Sequence, residues 1–363
     1  MANYRSLPIT KFLFTLCFYN ITPNAFVLAL AMGDDRQDSN MRWVWEANRH
    51  EPVREGAKLT FGSNGNLALT DTDGRTIWQT DTAKKGVVGL KDFQTVTWPN
   101  GPNVLVSREN DYSFVLGQSS FAMYYKPRKV PLIYFKDGLL LESRNGTIFD
   151  LGLYGETSTK KALSFKLGLA LTAHNKVDSV KMDLTRTKYN NKYSMLQLES
   201  DGSLNVHTYY QYDTEYLDPW EVSYKFFDKV QCGLPKKCGE LGICENDQCV
   251  ACPTRTGMSG WSKSCAPPRA AKVAVSNNHE CNGKAAGAID YFKVTDVVHF
   301  MSLYNEGEGP MKLSMCREKC SKNCSCHGFF FNNQSSRCLL APEIGTLSMV
   351  ANSSIVGYIK NPK

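Results

Sequence analysis

Long apolar runs are missing from this 363-residue chain. None reaches the roughly 18 residues that a bilayer-spanning helix needs, so no helical anchor is expected. Cysteine is almost missing from the first 231 residues, where Cys17 stands alone. Histidine is scarce, and His50, His174, His207, His279, His299 and His327 are scattered, with no H-E-x-x-H pair. There is no G-x-S-x-G nucleophile elbow and no G-x-x-x-x-G-K-[ST] phosphate loop. Carboxylates are common, yet none are marked as an acid/base pair. A glycosidase, whose carboxylates can lie far apart in sequence, stays only as an alternative. The expectation is a protein with no catalytic residues, no metal and no cofactor.

Charge of one sign does not cluster either. The net charge is +7, but Lys and Arg are interleaved with acids, so a nucleic-acid stripe is not expected. At 42% hydrophobic and 21% charged the composition is that of a folded globular chain, long enough for two or three domains.

The remaining cysteines fall between Cys232 and Cys338 in two sets of six. The first is Cys232, Cys238, Cys244, Cys249, Cys252 and Cys265. The second is Cys281, Cys316, Cys320, Cys324, Cys326 and Cys338. Even sets in small, loop-rich regions read as disulfide frameworks, because such regions have too little core to hold themselves. Zinc is the competing reading. Cys249-Val-Ala-Cys252 has knuckle spacing, but no second knuckle lies at a suitable distance, and the C-x3-C-x3-C-x-C run from Cys316 is no familiar zinc pattern. Five N-x-S/T sequons, at Asn20, Asn145, Asn323, Asn333 and Asn352, also point to the secretory route.

The amino terminus is less regular. Arg5 and Lys11 precede the apolar run Phe12-Leu-Phe-Thr-Leu-Cys-Phe18, which resembles a short leader, and a second apolar run covers residues 25 to 32. From 41 to 135 apolar and polar residues alternate in short segments such as Ala57-Lys-Leu-Thr-Phe61 and Asn66-Leu-Ala-Leu-Thr70, which read as strands. Asn64-Gly65 and Asp73-Gly74 are the turn dipeptides between them. Trp43, Trp45, Trp78 and Trp98 are expected in the core. One internal echo stands out: Leu59-Thr-Phe-Gly-Ser-Asn-Gly-Asn-Leu-Ala-Leu69 matches Leu196-Gln-Leu-Glu-Ser-Asp-Gly-Ser-Leu-Asn-Val206, implying two successive β domains. Helical periodicity is convincing only over 312–322, with Ser314 as its expected cap, Asn323 closing it, and Cys316 and Cys320 on one face. Gly328-Phe-Phe-Phe331 follows as an expected buried strand.

These stretches carry a resemblance. Met41-Arg-Trp-Val-Trp-Glu-Ala-Asn-Arg49, Leu59 to Asp71 and Thr76-Ile-Trp-Gln-Thr80 resemble bulb-type, mannose-binding lectin domains. Cys238-Gly-Glu-Leu-Gly-Ile-Cys244 is similar to the EGF-like segment of S-locus glycoproteins, and C-x3-C-x3-C-S-C with its aromatic strand resembles a PAN/apple module. That order, without a kinase, resembles the plant epidermis-specific secreted glycoproteins.

The resemblance implies a mainly β chain. Residues 1–15 are a leader or a start foreign to the family, and 16–118 an incomplete β-prism II lectin domain. A second β domain covers 119–230 and an EGF-like disulfide unit 231–266. A linker at 267–279 leads to an α+β PAN/apple module at 280–361. Leu16 onward looks like mature lectin sequence, which leaves Cys17 a thiol without an evident partner. A lectin repeat is missing where Gly89-Leu-Lys leads almost directly into Asp92-Phe-Gln-Thr-Val-Thr-Trp-Pro.

Family Q-x-D-x-N-x-V-x-Y strands bind mannose through their polar side chains. Here the motif falls on Gly62, Asn64, Asn66, Ala68 and Thr70, and only Asn66 matches. Each lost net hydrogen bond forfeits about 1 kcal/mol, so Asn64 and Asn66 form a degenerate carbohydrate site. Connectivity of six cysteines has about 15 solutions. The resemblance implies Cys316–Cys338, Cys320–Cys326 and Cys281–Cys324, and the pairs expected in the EGF-like unit are Cys232–Cys244, Cys238–Cys249 and Cys252–Cys265. The implied function is carbohydrate binding, of a mannose-type glycan or wall polysaccharide, outside the cell. The alternative is capture of an extracellular protein by the PAN module, with Phe329, Phe330 and Phe331 near the contact.

Overall fold

The computed structural model describes residues 5–8, 13–33, 41–83, 96–97, 104–117, 120–126, 130–137, 147–159, 162–173, 176–183, 193–210, 219–268 and 289–362. Strands dominate, and the described residues contain one α-helix, Leu313–Lys322. Trp98, Asn145, Cys281, the linker residues 269–279 and the 84–95 junction lie outside the described residues.

The chain begins with a four-stranded antiparallel sheet of Arg5–Pro8, Phe14–Thr22, Ala25–Met32 and Arg42–Glu46. The apolar run expected to resemble a leader is a strand here. Phe14–Thr22 pairs on both sides, and Leu16 and Cys17 are buried. A strand paired on both edges and covered by packing reads as a continuous apolar run, which explains its composition. A three-stranded sheet follows, Lys58–Phe61, Leu67–Thr70 and Thr76–Gln79. Its core joins Leu69 to Leu16, Leu28, Leu30 and Val53, with Trp45 and Trp78 packed edge to face at 5.2 Å.

Next come the four strands Val104–Val106, Tyr112–Leu116, Phe121–Tyr125 and Leu132–Asp137, all antiparallel. A sheet built on the long hairpin Thr147–Thr159 and Ala162–Ala173 comes after them. Then a three-stranded sheet forms from Tyr193–Leu198, Leu204–Tyr209 and Trp220–Lys225.

The two echoing hairpins turn in the same way. In one, the Gly65 N–H bonds Gly62 O at 2.9 Å, and the Asn66 N–H bonds Asn64 Oδ1 at 3.0 Å. In the other, the Gly202 N–H bonds Glu199 O at 3.1 Å, and the Ser203 N–H bonds Asp201 Oδ1 at 2.8 Å. Gly65 and Gly202 take φ of +82° and +86°, the left-handed region that a side chain resists. An Asn or Asp before such a glycine accepts the N–H two residues on, which is why these dipeptides make tight turns.

The carboxyl-terminal third has two sheets. One is antiparallel: Ile289–Val294, Ile355–Pro362, Gly328–Asn332 and Arg337–Ala341. The other has five strands in the order Gly257–Gly260, Gln248–Thr254, Leu241–Glu245, Gly345–Met349 and Val297–His299. Its middle pair, Leu241–Glu245 with Gly345–Met349, is parallel. The cysteine-rich segment before residue 266 and the module after residue 288 therefore share a sheet. One buried core runs from Tyr112 and Phe114 through Leu204, Leu241 and Ile243 to Phe330, Leu347 and Ile359.

The helix corrects one expectation. Its N-cap is Lys312, without a side-chain cap bond, and Ser314 lies inside the first turn. Lys312 O accepts the N–H groups of Met315 and Cys316 at 3.0 and 3.2 Å, so the first turn closes before Ser314 can act as cap. Packing of the fully buried Cys316 and Cys320 against the sheet sets the start. Asn323 is the C-cap.

Candidate functional site

The sequence places its carbohydrate candidates on the 58–70 hairpin. Asn64 is exposed, and its Oδ1 accepts the Asn66 N–H, which holds the turn. Asn66 is half-buried, and its amide is largely used inside the protein. Its Nδ2 donates to Gln79 Oε1 at 3.0 Å, while its Oδ1 accepts from Thr80 Oγ1 at 3.0 Å and from the Thr82 N–H at 3.2 Å. An Asn side chain has two donor and two acceptor places, so one N–H is left for a ligand. Thr70 Oγ1 donates to Lys58 O at 3.2 Å, within the same sheet. The groups a sugar would need are used within the sheet, by the hairpin itself and by Gln79, Thr80 and Thr82 beyond it.

The second hairpin carries a polar network that the sequence reading missed. Glu199 Oε1 meets His207 Nε2 at 2.6 Å and accepts from Asn205 Nδ2 at 3.3 Å, while Gln197 Nε2 donates to Glu199 Oε2 at 3.3 Å. Gln197 and Asn205 are register partners, as are Met195 and His207. Polar residues at alternate positions, Gln197 with Glu199 and Asn205 with His207, were the available signal, since residues two apart share a sheet face.

In the carboxyl-terminal module, disulfides fasten the helix to the sheet. Cys316 bonds Cys338 across 22 residues, and Cys320 bonds Cys326 across 6. Cys232–Cys244, Cys238–Cys249 and Cys252–Cys265 cross-link the preceding segment. These five pairs coincide with those named from the sequence. Cys324 is also disulfide-bonded, and its expected partner Cys281 is outside the described residues. Cys17 is a free, buried thiol, and desolvation pushes its pKa up to about 11. Among the described residues no group of three or more His, Cys, Asp or Glu is placed to hold a metal.

The three phenylalanines divide between two sides of their strand. Phe329 and Phe331 pack with the helix cysteines. Phe330 lies in the main core, 4.8 Å from the His299 ring, and forms part of a cavity of about 210 Å³. Ser302, Asn305, Glu306, Asn332, Ser335, Arg337, Leu339 and Ile355 complete its walls. Of the sequons, Asn20, Asn323, Asn333 and Asn352 are exposed.

Residues 291–360 match the PAN domain family. Over 96% of this chain and 86% of its own length, EP1-like glycoprotein 2 of Arabidopsis thaliana is 38% identical. The chain belongs to the EP1-like glycoprotein family. EP1-like glycoprotein 1 of Arabidopsis thaliana is 36% identical over 99% of this chain and 90% of its own length. The epidermis-specific secreted glycoprotein EP1 of Daucus carota is 37% identical over 77% and 85%. A G-type lectin S-receptor-like serine/threonine-protein kinase of Arabidopsis thaliana shares 24% identity over 87% of this chain but only 38% of its own length. The relatives at 35–38% identity are named as glycoproteins, not enzymes, and a 24% match carries no kinase activity to this family member. The 402-position alignment with EP1-like glycoprotein 2 is longer than the 363-residue chain, so that relative has segments without a counterpart here. Among the described residues no helix is long and apolar enough to cross a membrane.

Proposed function

We propose that this family member is a secreted, non-catalytic, carbohydrate-binding glycoprotein of the plant extracellular space or cell wall, lectin-like in its first half. Mannose binding at the 62–70 hairpin is weakened or lost. The observation that carries the extracellular part is the oxidised sulfur of the last third, five described disulfides in a short span, which persist outside a reducing cytosol. The name of the carrot relative and the exposed sequons Asn20, Asn323, Asn333 and Asn352 support it. Those asparagines, with Asn145, are proposed glycan acceptors. The division into lectin-like domains at 16–118 and 119–230, an EGF-like unit at 231–266 and a PAN module at 280–361 belongs to the same reading. The matching turns at Gly65 and Gly202 support the repeat.

One observation favours a second reading, a protein-interaction glycoprotein acting through its PAN module. The amide of Asn66 is engaged at three of its four positions by Gln79, Thr80 and Thr82, at the end of the third strand and just after it. A glycan array probed with the protein secreted from plant cells separates the two. Binding that a free sugar competes away supports carbohydrate recognition. An empty array, with one extracellular protein captured reproducibly, supports the second reading.

A further inference from the structure

Of the five sequons, only Asn323-Cys324-Ser325 has a cysteine as its middle residue. The whole triplet lies inside the ring that Cys320–Cys326 closes over a sequence separation of 6. That bridge holds the two Cα atoms 5.3 Å apart, and both cysteines are buried. Fully extended, the same stretch would span roughly 20 Å. Cys324 is bridged as well. Hydrogen bonds pin what the sulfurs leave. The Asn323 N–H donates to Cys320 O at 3.2 Å, and Asn323 O accepts the Cys326 N–H at 3.1 Å and Lys360 Nζ at 3.0 Å. Asn323 Oδ1 accepts the Ser325 N–H at 2.9 Å. Asn352-Ser-Ser354 is the contrast: it follows the last cysteine, Cys338, and Asn352 is exposed, so no disulfide within the chain encloses it.

Glycan transfer to an N-x-S/T asparagine needs chain loose enough to bring the amide and the hydroxyl two residues on into one transferase site. The donor is an oligosaccharide linked through diphosphate to a lipid. Its sugar C1–O bond breaks, the lipid diphosphate leaves with the electron pair, the C1–Nδ2 bond forms, and one amide proton passes to water. A ring closed at 5.3 Å cannot open into such a site. The reverse order is allowed: Asn323 is exposed, and Nδ2 is the atom left over once Oδ1 has bonded Ser325, so a glycan added earlier fits the finished fold. We propose that Asn323 is glycosylated only while Cys320, Cys324 and Cys326 are still thiols, so that bridge closure decides how many chains carry this glycan. The inference rests on the secreted-glycoprotein reading and adds the regulation of one of its acceptors.

The test is peptide mass spectrometry of the full-length protein made in plant cells, after enzymatic deglycosylation in heavy-oxygen water, which marks each asparagine that carried a glycan. Occupancy is counted on all chains, retained and secreted, so a variant that folds poorly still gives an answer. Asn352 is the internal reference. In the parent protein, Asn323 should be occupied in fewer than half as many chains as Asn352. Replacing both Cys320 and Cys326 by Ala should raise Asn323 occupancy at least twofold and leave Asn352 unchanged. A second arm needs no substitution: brief dithiothreitol during synthesis of the parent protein delays the bridges and should raise Asn323 in the same way. A rise at Asn323 alone, in either arm, supports the inference. Asn323 filled as fully as Asn352 in the parent, or no rise in both arms, overturns it and leaves the secreted-glycoprotein reading intact. If Asn352, Asn333 and Asn323 are all bare, the glycoprotein reading and this inference fall together.

Discussion

His299 is fully buried between two rings, 4.1 Å from Phe300 and 4.8 Å from Phe330. Its Nδ1 accepts the Met301 N–H at 3.3 Å, so the proton sits on Nε2 and is donated to Glu343 O at 3.0 Å. Burial disfavours the imidazolium and lowers the pKa from 6.5 to about 4. With the folded value below the unfolded one, the unfolded chain takes up the proton first. The stability contributed by neutral His299 is complete above about pH 6.5 and is lost as pH falls towards 4, by on the order of 3 kcal/mol in all. His299→Gln keeps a donor for Glu343 O and does not titrate in this range. Guanidinium unfolding at pH 7.5 and 4.5 should show the parent protein losing about 2 kcal/mol more than the variant. Equal losses would remove His299 as the source. Nothing in the residues around His299 in sequence marked this environment, because burial is a property of what packs over a side chain.

At the scale of elements, the turns and strands of the first half were legible. Alternation at 57–61 and 66–70 and the two glycine dipeptides specify a hairpin locally, and the structure has it. The helix was legible in register, with Cys316 and Cys320 on its buried face, but not in its start. Ser314 has the chemistry of a cap, and tertiary packing placed the first turn ahead of it. Lys360, distant in sequence, satisfies the other end by donating to Cys320 O at 2.9 Å and Asn323 O at 3.0 Å. The two staples on this helix differ in the loop they close. By chain entropy, removing Cys316–Cys338 (both to Ala) should cost about 3 kcal/mol and removing Cys320–Cys326 about 2 kcal/mol. Denaturant midpoints of the two double variants measure this, and a reversed order would show that packing of the buried sulfurs outweighs loop length.

For the whole molecule, the seam between the cysteine-rich segment and the PAN module is the main structural fact. Gly345 N–H bonds Glu240 O at 3.0 Å, Thr346 N–H bonds Pro235 O at 2.9 Å, and the Cys238 N–H bonds Thr346 Oγ1 at 3.0 Å. Gly345 has φ of +61°, and a Cβ there would lie 2.3 Å from Pro235 O, a backbone atom with no rotamer to relieve it. Gly345→Ala should therefore cost at least about 2 kcal/mol, from the strained conformation and the forced opening of the parallel pair. Differential scanning calorimetry should show one lowered transition for the cysteine-rich segment and the PAN module together. Two separated transitions, with only one moved, would mean that the two units fold independently.

The sequence by itself determined what depends on near neighbours. Alternation set the strands, Asn-Gly and Asp-Gly set the turns, and the even cysteine sets marked the region held by sulfur. Each of these is decided within a few residues, by a preferred φ or by which face meets water. Only the tertiary structure decided that Leu241–Glu245 lies parallel to Gly345–Met349, joining groups 108 positions apart at Cys238 and Thr346. The same packing buried His299 and left a cavity beside Phe330. Pairing between distant strands is settled by how apolar faces fit once the chain has collapsed, and local periodicity carries no record of it.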